Sequence, residues 1–435
     1  MAHESASAVK PTPSPNGAAF PAVAPAADTS VSPPGGDPGA RSALRSKNFL
    51  AVTVADFMAR AAYQMGKTPL LPIFAAGLGA SDVLLGLIVS VSTVTGMVLK
   101  PFIGMLSDRA GRRNWLIIGT CFFAFMPFVY PFVTTPQQLF WVRVIHGMAT
   151  AIYGPVTLAY VTEQAGAARA EGLGWFGIAR SGGYIVGPAL AGWLLLYFTP
   201  QQVFTVIGLM SCAVFVPVLM LTDAPMPDRA LRKPLTRDAV DAFVAGMQTP
   251  ALWLAGGLEA LTYVALYAMK AFLPVYTLAI GVNVALIGTF FALQEGVVAL
   301  AKPAGGRTGD RLGYGLAIGV GMIFIGLGLP LLTVSTGAFA LLALAVWLGL
   351  GQALIFPSAT ALVAVQIDRH HTAAGMGFLG TLQNSGKVIG PLVGGALVAV
   401  AGYEAMFRAM GIFTLLCAGI LLTVGGRGRM RGRAD

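Results

Sequence analysis

The chain has 435 residues, of which 56% are hydrophobic and only 11% are charged. A soluble domain carries about 25% charged residues, so this composition argues against a water-soluble globule and against any large soluble domain. The formal net charge of +10 comes from Lys and Arg in short clusters between apolar runs. That placement is typical of the cytoplasmic loops of a membrane protein and excludes nucleic acid as the expected partner.

The first 48 residues are rich in Pro, Ala, Ser and Gly. They contain no apolar core of the length that a signal peptide needs, and too few apolar side chains to build a folded core. We expect residues 1–48 to form a disordered cytoplasmic tail.

Twelve apolar stretches follow, and each is long enough to cross a bilayer, which takes about 20 apolar residues per helix. We name them spans 1–6, within residues 49–222, and spans 7–12, within residues 249–424. Their approximate limits are 49–76, 83–106, 114–133, 136–163, 172–197, 201–222, 249–279, 284–307, 314–334, 336–365, 372–401 and 404–424. This pattern predicts an all-α membrane protein with twelve transmembrane helices in two six-helix bundles.

Positive charge is concentrated on one side of the predicted bundles. Arg41, Arg45 and Lys47 precede span 1, whereas the connections 134–138 and 200–202 carry no Lys or Arg. Because positively charged loops stay in the cytoplasm, both termini are predicted to be cytoplasmic, and the membrane to be a bacterial inner membrane.

Two further basic segments lie on the same predicted side. Residues 223–248 contain four Lys or Arg residues, and their prolines disfavour a continuous helix, so we expect a cytoplasmic linker. Residues 425–435 are predicted to form a basic cytoplasmic tail.

The two halves of the chain repeat one another. Six residues of the first half recur 202 positions later: Lys100, Pro101, Gly104, Asp108, Arg109 and Gly111 correspond to Lys302, Pro303, Gly306, Asp310, Arg311 and Gly313. Further along, the offset becomes 203, and Gly174, Gly183, Gly187 and Pro188 correspond to Gly377, Gly386, Gly390 and Pro391. Two copies in the same orientation imply a pseudo-two-fold axis along the membrane normal.

The loop between spans 2 and 3 reads GMLSDRAGRR from Gly104 to Arg113. This run resembles the hallmark loop of the major facilitator superfamily, and the resemblance covers essentially everything after residue 48. It implies the twelve-span fold of that family, in which this loop is a conformational latch. The expected latch residues are Gly104, Asp108, Arg109, Gly111, Arg112, Arg113 and Glu163, with Gly306, Asp310, Arg311 and Gly313 in the second half.

Each latch residue has a physical reason. Gly104 would allow close helix contact, and Asp108 could meet a helix N-terminus or a basic side chain. The arginines could pair with Glu163 at the end of span 4. The alternative is that the arginines only orient the loop.

Span 4 contains Arg143 and His146, in a run similar to a family motif whose arginine is linked to proton transfer. His146 departs from the glutamine that is usual there. An intramembrane arginine is costly and is therefore a functional candidate. The alternatives are a structural ion pair for Arg143 and a histidine satisfied by a backbone carbonyl for His146.

Span 5 resembles the glycine-proline motif of proton-coupled exporters of the same family. The matching residues are Gly174, Gly183, Gly187, Pro188 and Gly192, and span 11 repeats the pattern with Gly377, Gly386, Gly390 and Pro391. The resemblance implies export. The alternative is plain helix packing through small residues, without directional meaning.

Polar side chains follow one face of span 1 and one face of span 7. Asp56, Arg60, Tyr63 and Lys67 are spaced by four, three and four residues, which places them on one helical face. The full set of candidates for a cavity between the halves is Asp56, Arg60, Tyr63, Gln64, Lys67, Arg180, Glu259, Tyr263, Lys270, Gln294, Glu295, Gln383, Asn384 and Lys387. Asp56 and Arg60 could instead form only an intrahelical pair.

A proton carrier is sought among the carboxyl groups of this set. Glu295 has no opposite charge one turn away along its helix, so it is the leading candidate, ahead of Glu259 and Asp56. The alternative is a stable ion pair of Glu295 with Lys387 or Arg180.

The cavity candidates and Arg143 together comprise six basic residues, three of them lysines, and three acidic residues. A net positive cavity favours an anionic or zwitterionic solute over a cationic drug. We therefore expect a secondary transporter that works by alternating access, binds a small-molecule substrate and protons in the lipid bilayer, and functions as a monomer.

Proton-coupled export is the preferred reading, with uptake as the alternative, followed by export of cationic drugs or a transporter-like sensor. No nucleotide-binding loop, catalytic motif or metal-ligand spacing is present in the sequence. We therefore expect no cofactor, no bound metal and no enzymatic activity.

Overall fold

The computed structural model describes residues 44, 46–165, 168–222, 250–335, 337–366 and 372–431. All regular structure within these ranges is helical. The predicted disordered tail, apart from its last few residues, and the predicted linker lie outside the described residues, as do residues 432–435.

The first half contains six helical spans. Span 1 is built of an α-helix at Lys47–Met65, a kinked segment at Gly66–Leu70 in which Thr68 is extended, and an α-helix at Leu71–Gly77. Spans 2–6 are Asp82–Ala110, Arg112–Phe125 continued by a 3₁₀ segment at Met126–Phe132, Pro136–Gln164, Arg169–Leu194, and Pro200–Cys212 followed by Phe215–Leu219.

The second half contains longer and more regular helices. Spans 7–10 are Pro250–Ala279, Val284–Leu312, Tyr314–Leu331 and Ala338–Gln366. Spans 11 and 12 lie in one helical stretch, Thr372–Arg431, which is interrupted at Gly402 with φ 83°. A positive φ strains any residue with a side chain, so glycine allows the two spans to separate there.

Nine helical segments of the described residues are long and apolar enough to cross a membrane. One of them, Met376–Thr423, holds both span 11 and span 12. The helices of spans 1 and 5 are the other two, and each carries buried or half-buried charges, Asp56 and Arg60 in span 1 and Arg180 in span 5.

The repeat of the sequence is visible in the backbone. Gly79 and Gly281 have φ values of 79° and 81° after spans 1 and 7. Gly111 and Gly313 have φ values of 87° and 99° between spans 2 and 3 and between spans 8 and 9. Equivalent turns in the two halves therefore use equivalent glycines.

The bundle has two ends. We call the end where span 1 begins and span 6 finishes the termini end, and the end with the turns at Gly79 and Gly281 the loop end. At the loop end, spans 4 and 6 begin with capping boxes, in which Thr135 pairs with Gln138 and Thr199 with Gln202. Such caps satisfy the free amide groups of a helix start without any charged residue.

The two halves meet most extensively where span 2 packs on span 11 and span 5 packs on span 8. At the loop end, a Cβ added to Gly192 would lie 2.9 Å from Cα of Gly288. Two hydrogen bonds join the halves there: Ser90 Oγ donates to the carbonyl of Val388 at 2.9 Å, and Tyr403 donates to Asp82 at 3.1 Å. The loop end is therefore held closed by direct backbone contact.

Some glycines of spans 5 and 11 pack directly against the backbone of a neighbouring helix. A Cβ on Gly187 would lie 2.7 Å from the carbonyl oxygen of Ala61, and Gly390 packs in the same way on the carbonyl of Val264. These glycines let span 5 approach span 1, and span 11 approach span 7, at corresponding positions.

Three predicted packing glycines are not in close contact. An added Cβ on Gly104, Gly174 or Gly377 would have no described atom within 4 Å. All three lie in the parts of their helices nearer the termini end, where they face open space. The expectation that Gly104 mediates close helix contact is wrong for this conformation, because the halves meet at the opposite end.

Candidate functional site

Asp56 is fully buried and tightly paired. Its carboxylate accepts hydrogen bonds from Arg180 Nε at 2.8 Å and from Arg180 Nη2 at 2.9 Å. Arg60 Nε lies farther away, at 3.6 Å, and Arg180 also donates to Thr157 at 3.0 Å. The closer partner of Asp56 is thus on span 5, so the pair joins two helices and is not only an intrahelical pair with Arg60.

Glu259, on span 7, is also fully buried, with an exposed fraction of 0%. Its Oε2 accepts a hydrogen bond from Gln383 Nε2 at 2.5 Å, whereas its Oε1 has no partner among the described residues. No Lys or Arg nitrogen of the described residues lies within ion-pair distance. Glu259 is therefore held by an amide and not by a cation.

Glu295 forms a salt bridge with Lys270, with Nζ and Oε1 separated by 2.7 Å. The two side chains are about equally shielded, with exposed fractions of 17% and 20%. The alternative of a stable ion pair is thus what the structure shows, but the partner is Lys270 on span 7 and neither Lys387 nor Arg180. A carboxylate with a cation in contact is a weaker candidate for proton exchange than one without.

Aromatic rings lie against the lysines of the cavity. Lys67 Nζ is 5.1 Å from the ring centre of Tyr267, and Lys270 Nζ is 5.5 Å from the same ring. One ring therefore contacts ammonium groups from both halves. Lys387 Nζ lies 4.4 Å from the ring centre of Tyr263, which suits a cation–π interaction.

Lys100 was not among the cavity residues predicted from the sequence. It was noted there only because it recurs as Lys302 in the second half. It interacts electrostatically with Lys67 and with Lys387, and Lys387 in turn interacts with Lys270. We name Lys67, Lys100, Lys270 and Lys387 the lysine cluster. Within the described part of the chain, Lys270 is the only member with a carboxylate in ion-pair distance.

Arg143 and His146 lie inside the first half, where the Arg143 guanidinium carbon and Lys67 Nζ are each 5.9 Å from the ring centre of Tyr63. Arg143 Nη2 donates to Ser92 Oγ at 2.5 Å, and its Nη1 donates to the hydroxyl of Tyr130 at 3.4 Å. His146 Nδ1 lies 2.8 Å from the same hydroxyl. Neither alternative from the sequence is what the structure shows, because the partners are hydroxyl groups and not a carboxylate or a backbone carbonyl.

Next to this network lies a small cavity whose lining is mostly apolar and aromatic, with a few polar side chains. Arg143, His146 and Ser211 line it, and each has one buried polar atom without a partner among the described residues: Nε, Nε2 and Oγ. Spans 1, 3, 4 and 6 enclose the cavity. The described hydrogen bonds of Arg143 thus all lie within its own half and involve Nη1 and Nη2, and its side chain is almost fully buried.

The latch residues are partly described. Arg112 pairs with Glu163, with Nη2 and Oε1 separated by 2.6 Å, so this arginine joins the start of span 3 to the end of span 4. Arg113 donates to the carbonyl of Leu219 at 3.3 Å. The side chains of Asp108 and Arg109 lie outside the described residues.

In the second half, Asp310 accepts a hydrogen bond from the hydroxyl of Tyr314 at 3.0 Å. A Cβ added to Gly306 would lie 3.7 Å from Cβ of Pro357, which is ordinary van der Waals contact. Arg311 is exposed beside Gly313. This half of the latch is therefore held by local contacts at the start of span 9.

The remaining predicted cavity residues differ in burial. Gln64 and Gln294 are buried, and neither amide atom of Gln294 has a partner among the described residues. Asn384 is half-buried on span 11, next to Gln383. No group of three or more His, Cys, Asp or Glu residues in the described ranges is placed to hold a metal ion.

Comparisons with known proteins agree on the family. Residues 52–293 and 252–431 match the sequence model of the Major Facilitator Superfamily. The chain is 25% identical over 353 residues to an uncharacterized MFS-type transporter of Methanocaldococcus jannaschii, which covers 80% of this chain and 90% of that protein.

A shorter match links the chain to Multidrug resistance protein 1 of Bacillus subtilis. The identity is 29% over 127 residues, which is 29% of this chain and 33% of that protein. Among solved structures, a mutant of the nucleoside transporter NupG superimposes with a TM-score of 0.76 at 15% identity, covering 86% of this chain and 99% of that one. This structural likeness shows the fold alone.

Three observations point to the same family: the two-fold repeat of six helices, the buried charges between the helices, and the family match over both halves. The twelve-helix fold expected from the sequence is confirmed. The chain is an integral membrane protein that belongs to the Major Facilitator Superfamily of transporters.

Proposed function

We propose that this transporter exports a small anionic or zwitterionic solute in exchange for protons, by alternating access across a bacterial inner membrane. The observation that carries the substrate class is the lysine cluster, which holds four ammonium groups and only one carboxylate in ion-pair distance within the described residues. The four lysines are half-buried, and charges of one sign that are partly removed from water are costly unless an opposite charge accompanies them. A bound anion would supply that charge.

The aromatic rings support the same proposal. Tyr263 stacks on Phe356 with ring centres 4.8 Å apart, and Tyr267 lies between Lys67 and Lys270. A solute that carries a carboxylate next to an apolar body would find both an ammonium group and a ring face there. A lipophilic cation would meet repulsion from the same lysines.

The closed loop end supports a state that opens toward the termini end. The contacts between the halves at Gly192 and Gly288, and the hydrogen bond between Tyr403 and Asp82, lie at the loop end. With both termini in the cytoplasm, as the basic segments predict, this is an inward-facing form. A solute would then enter the lysine cluster from the cytoplasm.

Proton coupling is proposed to run through Glu259. Of the three candidate carboxyls Asp56, Glu259 and Glu295, Asp56 has Arg180 in contact and Glu295 has Lys270 in contact. Glu259 has an amide partner and one free oxygen. Burying an ionised carboxylate without a cation is costly, so binding of a proton is the natural way for this group to become neutral.

Export of cationic drugs is the second candidate, because 127 residues match multidrug and quinolone resistance proteins. Uptake with protons is the alternative for direction. The glycine-proline motif of span 5 favours export, through its resemblance to proton-coupled exporters of the family.

The test is reconstitution in liposomes with an imposed pH gradient and a panel of labelled solutes. The panel contains matched aromatic carboxylates, amino acids and quaternary amines. We expect carboxylates or zwitterions to move against their gradient, and we expect Lys67→Gln with Lys387→Gln to abolish this movement. Matched replacement of the exposed Lys47 by Gln is the control.

Gradient-driven movement of quaternary amines alone would contradict the substrate class. Undiminished transport of the carboxylate in the doubly substituted protein would contradict the role of the lysine cluster. Movement that does not respond to pH would contradict proton coupling.

A further inference from the structure

The two buried carboxyls occupy equivalent places in the repeat. Asp56 and Glu259 are 203 positions apart, and so are their partners Arg180 and Gln383. Within each half, acid and partner are separated by the same 124 positions. One architectural site therefore exists twice, with an arginine in one copy and a glutamine in the other.

The backbone around the two sites repeats as well. Gly183 packs against the carbonyl of Phe57, and Gly386 packs against the carbonyl of Ala260, again with an offset of 203. These contacts place span 5 on span 1 and span 11 on span 7 at the same height. The difference between the two acid sites is thus one of side chains and not of helix packing.

The side chains have opposite consequences for a proton. The guanidinium of Arg180 makes two hydrogen bonds to Asp56 and cancels its charge, which favours the ionised carboxylate. The amide of Gln383 makes one hydrogen bond to Glu259 and carries no charge. An amide can bond to a neutral or an ionised carboxyl, because it can donate through nitrogen and accept through oxygen.

Other charged and titratable groups act on each acid at longer range. For Glu259 these are Lys387 on span 11, Lys302 on span 8 and Tyr263 one turn along its own helix. None of these three makes a hydrogen bond or ion pair with Glu259 within the described residues. The hydrogen-bonded partner of Glu259 is therefore neutral.

Around Asp56 the surroundings are cationic. Arg60 lies one turn along the same helix and Arg180 on span 5, while Thr157 and Tyr153 belong to span 4. With two arginines near a single carboxylate, the first-half site keeps a positive charge even when Asp56 is ionised.

We propose that Gln383 is a positioning residue that assigns proton binding to Glu259 in the second half, while Arg180 keeps the equivalent Asp56 permanently ionised as a structural ion pair. The inference rests on the proposed proton coupling, whose step would be addition of one proton to the Glu259 carboxylate and its later release. Gln383 holds the carboxyl in place in both forms without fixing its charge.

The experiment observes the proton directly and needs no transport substrate. Infrared spectra of the full chain in lipid films are recorded from about pH 5 to about pH 9, above the pKa of about 4 of an ordinary carboxyl, so that a protonated-carboxyl band in this range comes from a carboxyl shielded from water. The wild-type protein should show a protonated-carboxyl C=O band that Glu259→Gln removes. Gln383→Arg should remove the same band, because an adjacent arginine favours the ionised carboxylate by a factor of about 10 to 1000.

Gln383→Leu is the matched control, because it removes the hydrogen bond without adding a charge. We expect the Glu259 band to persist in this variant but at a shifted frequency, because the carboxyl has lost the hydrogen bond from Gln383. Persistence of the band in Gln383→Arg would overturn the proposal, as would its loss to the same degree in both Gln383 variants. A wild-type protein that lacks the Glu259 band would also overturn it.

Transport measured in the same preparations separates this inference from the proposed function. A Glu259 band that responds to Gln383→Arg, together with carboxylate movement indifferent to pH, would sustain the role of Gln383 and reject proton coupling. Gradient-driven carboxylate accumulation that survives Gln383→Arg unchanged would sustain coupling and reject the role of Gln383. Size-exclusion profiles establish that each variant is folded.

Discussion

Arg180 and Gln383 occupy equivalent positions in the two halves, but a guanidinium and an amide affect the neighbouring carboxyl differently. In the first half, loss of the carboxyl would leave a buried cation behind, because Arg180 and Arg60 both depend on Asp56. In the second half, loss of the carboxyl would leave only an amide. In the mechanism that we propose, the ion pair that stabilises the fold and the carboxyl that binds protons therefore lie in different halves.

Replacement of Asp56 by Ala should destabilise the protein by about 3–5 kcal/mol, the usual cost of leaving a buried charge without its partner. The measurement is the thermal unfolding midpoint in detergent. Glu404→Ala is the control, because Glu404 and Arg408 form an exposed pair with exposed fractions of 56% and 55%. Equal losses in the two variants would show that the Asp56 pair has no special structural role.

Replacement of Glu259 by Gln should uncouple transport from protons. The amide keeps a hydrogen bond with Gln383 but cannot exchange a proton, so exchange of labelled carboxylate at equal pH should continue. Accumulation driven by a pH gradient should fall to background. Glu295→Gln is the comparison, because it frees Lys270 and should leave the response to the gradient in place. Gradient-driven accumulation by Glu259→Gln would reject this residue as the proton carrier.

At the scale of helices, the glycines of spans 5 and 11 act at some positions and not at others. Gly386 lies against the backbone of Ala260, whereas Gly377, on the same helix, faces open space. Both belong to one sequence motif, and the motif alone does not distinguish them. Their difference depends on how far each helix has moved toward its neighbour.

Replacement of Gly386 by Ala should cost about 1–3 kcal/mol, because the added methyl group would push against backbone atoms that have no flexible end. Gly377→Ala should be neutral or slightly stabilising, since alanine favours a helix over glycine by about 1 kcal/mol. Thermal unfolding in detergent measures both variants. An equal effect at the two positions would contradict the packing described for span 11.

Span 1 also shows what a sequence repeat can and cannot predict. Lys67 and Lys270 are 203 positions apart, but Pro72 and Pro274 are 202 apart, so the first half has one extra residue between them. The structure has a kink within Gly66–Leu70, where Thr68 has the extended backbone angles φ −145° and ψ 123°, and this kink takes up the extra residue.

The sequence predicted the elements well because apolar length and local charge decide which segments span a membrane. It predicted the polar faces of spans 1 and 7 because residues three or four positions apart lie on one face of a helix. It did not predict that Asp56 pairs with Arg180 or that Glu295 pairs with Lys270, because those partners lie on different helices. Helix rotation and depth decide such pairs, and neither follows from periodicity alone.

At the scale of the whole molecule, the closed loop end predicts a cross-link. Cysteines at Asp82 and Tyr403, whose side chains meet across the halves with Oδ1 and the hydroxyl oxygen 3.1 Å apart, should be joined by a bifunctional thiol reagent with a reducible spacer, in a protein without its natural cysteines. We expect the cross-link to lower the transport rate by at least about tenfold, because the halves could no longer separate there. Reduction should restore it.

A cross-link within one half is the control for this experiment. Tyr160 and Thr222 are joined by a hydrogen bond of 2.6 Å inside the first half, so cysteines there should leave the relative motion of the halves intact. Blocked transport by both cross-links would show that the loop end has no special part in the motion.

The lysine cluster has a consequence for energetics across the membrane. If its surplus positive charge moves relative to the membrane electric field as the halves rearrange, each unit charge that crosses 100 mV exchanges about 2.3 kcal/mol with the field. The empty carrier and the anion-loaded carrier would then respond differently to voltage. A potassium diffusion potential on proteoliposomes should therefore alter the return of the empty carrier more than the movement of the loaded one.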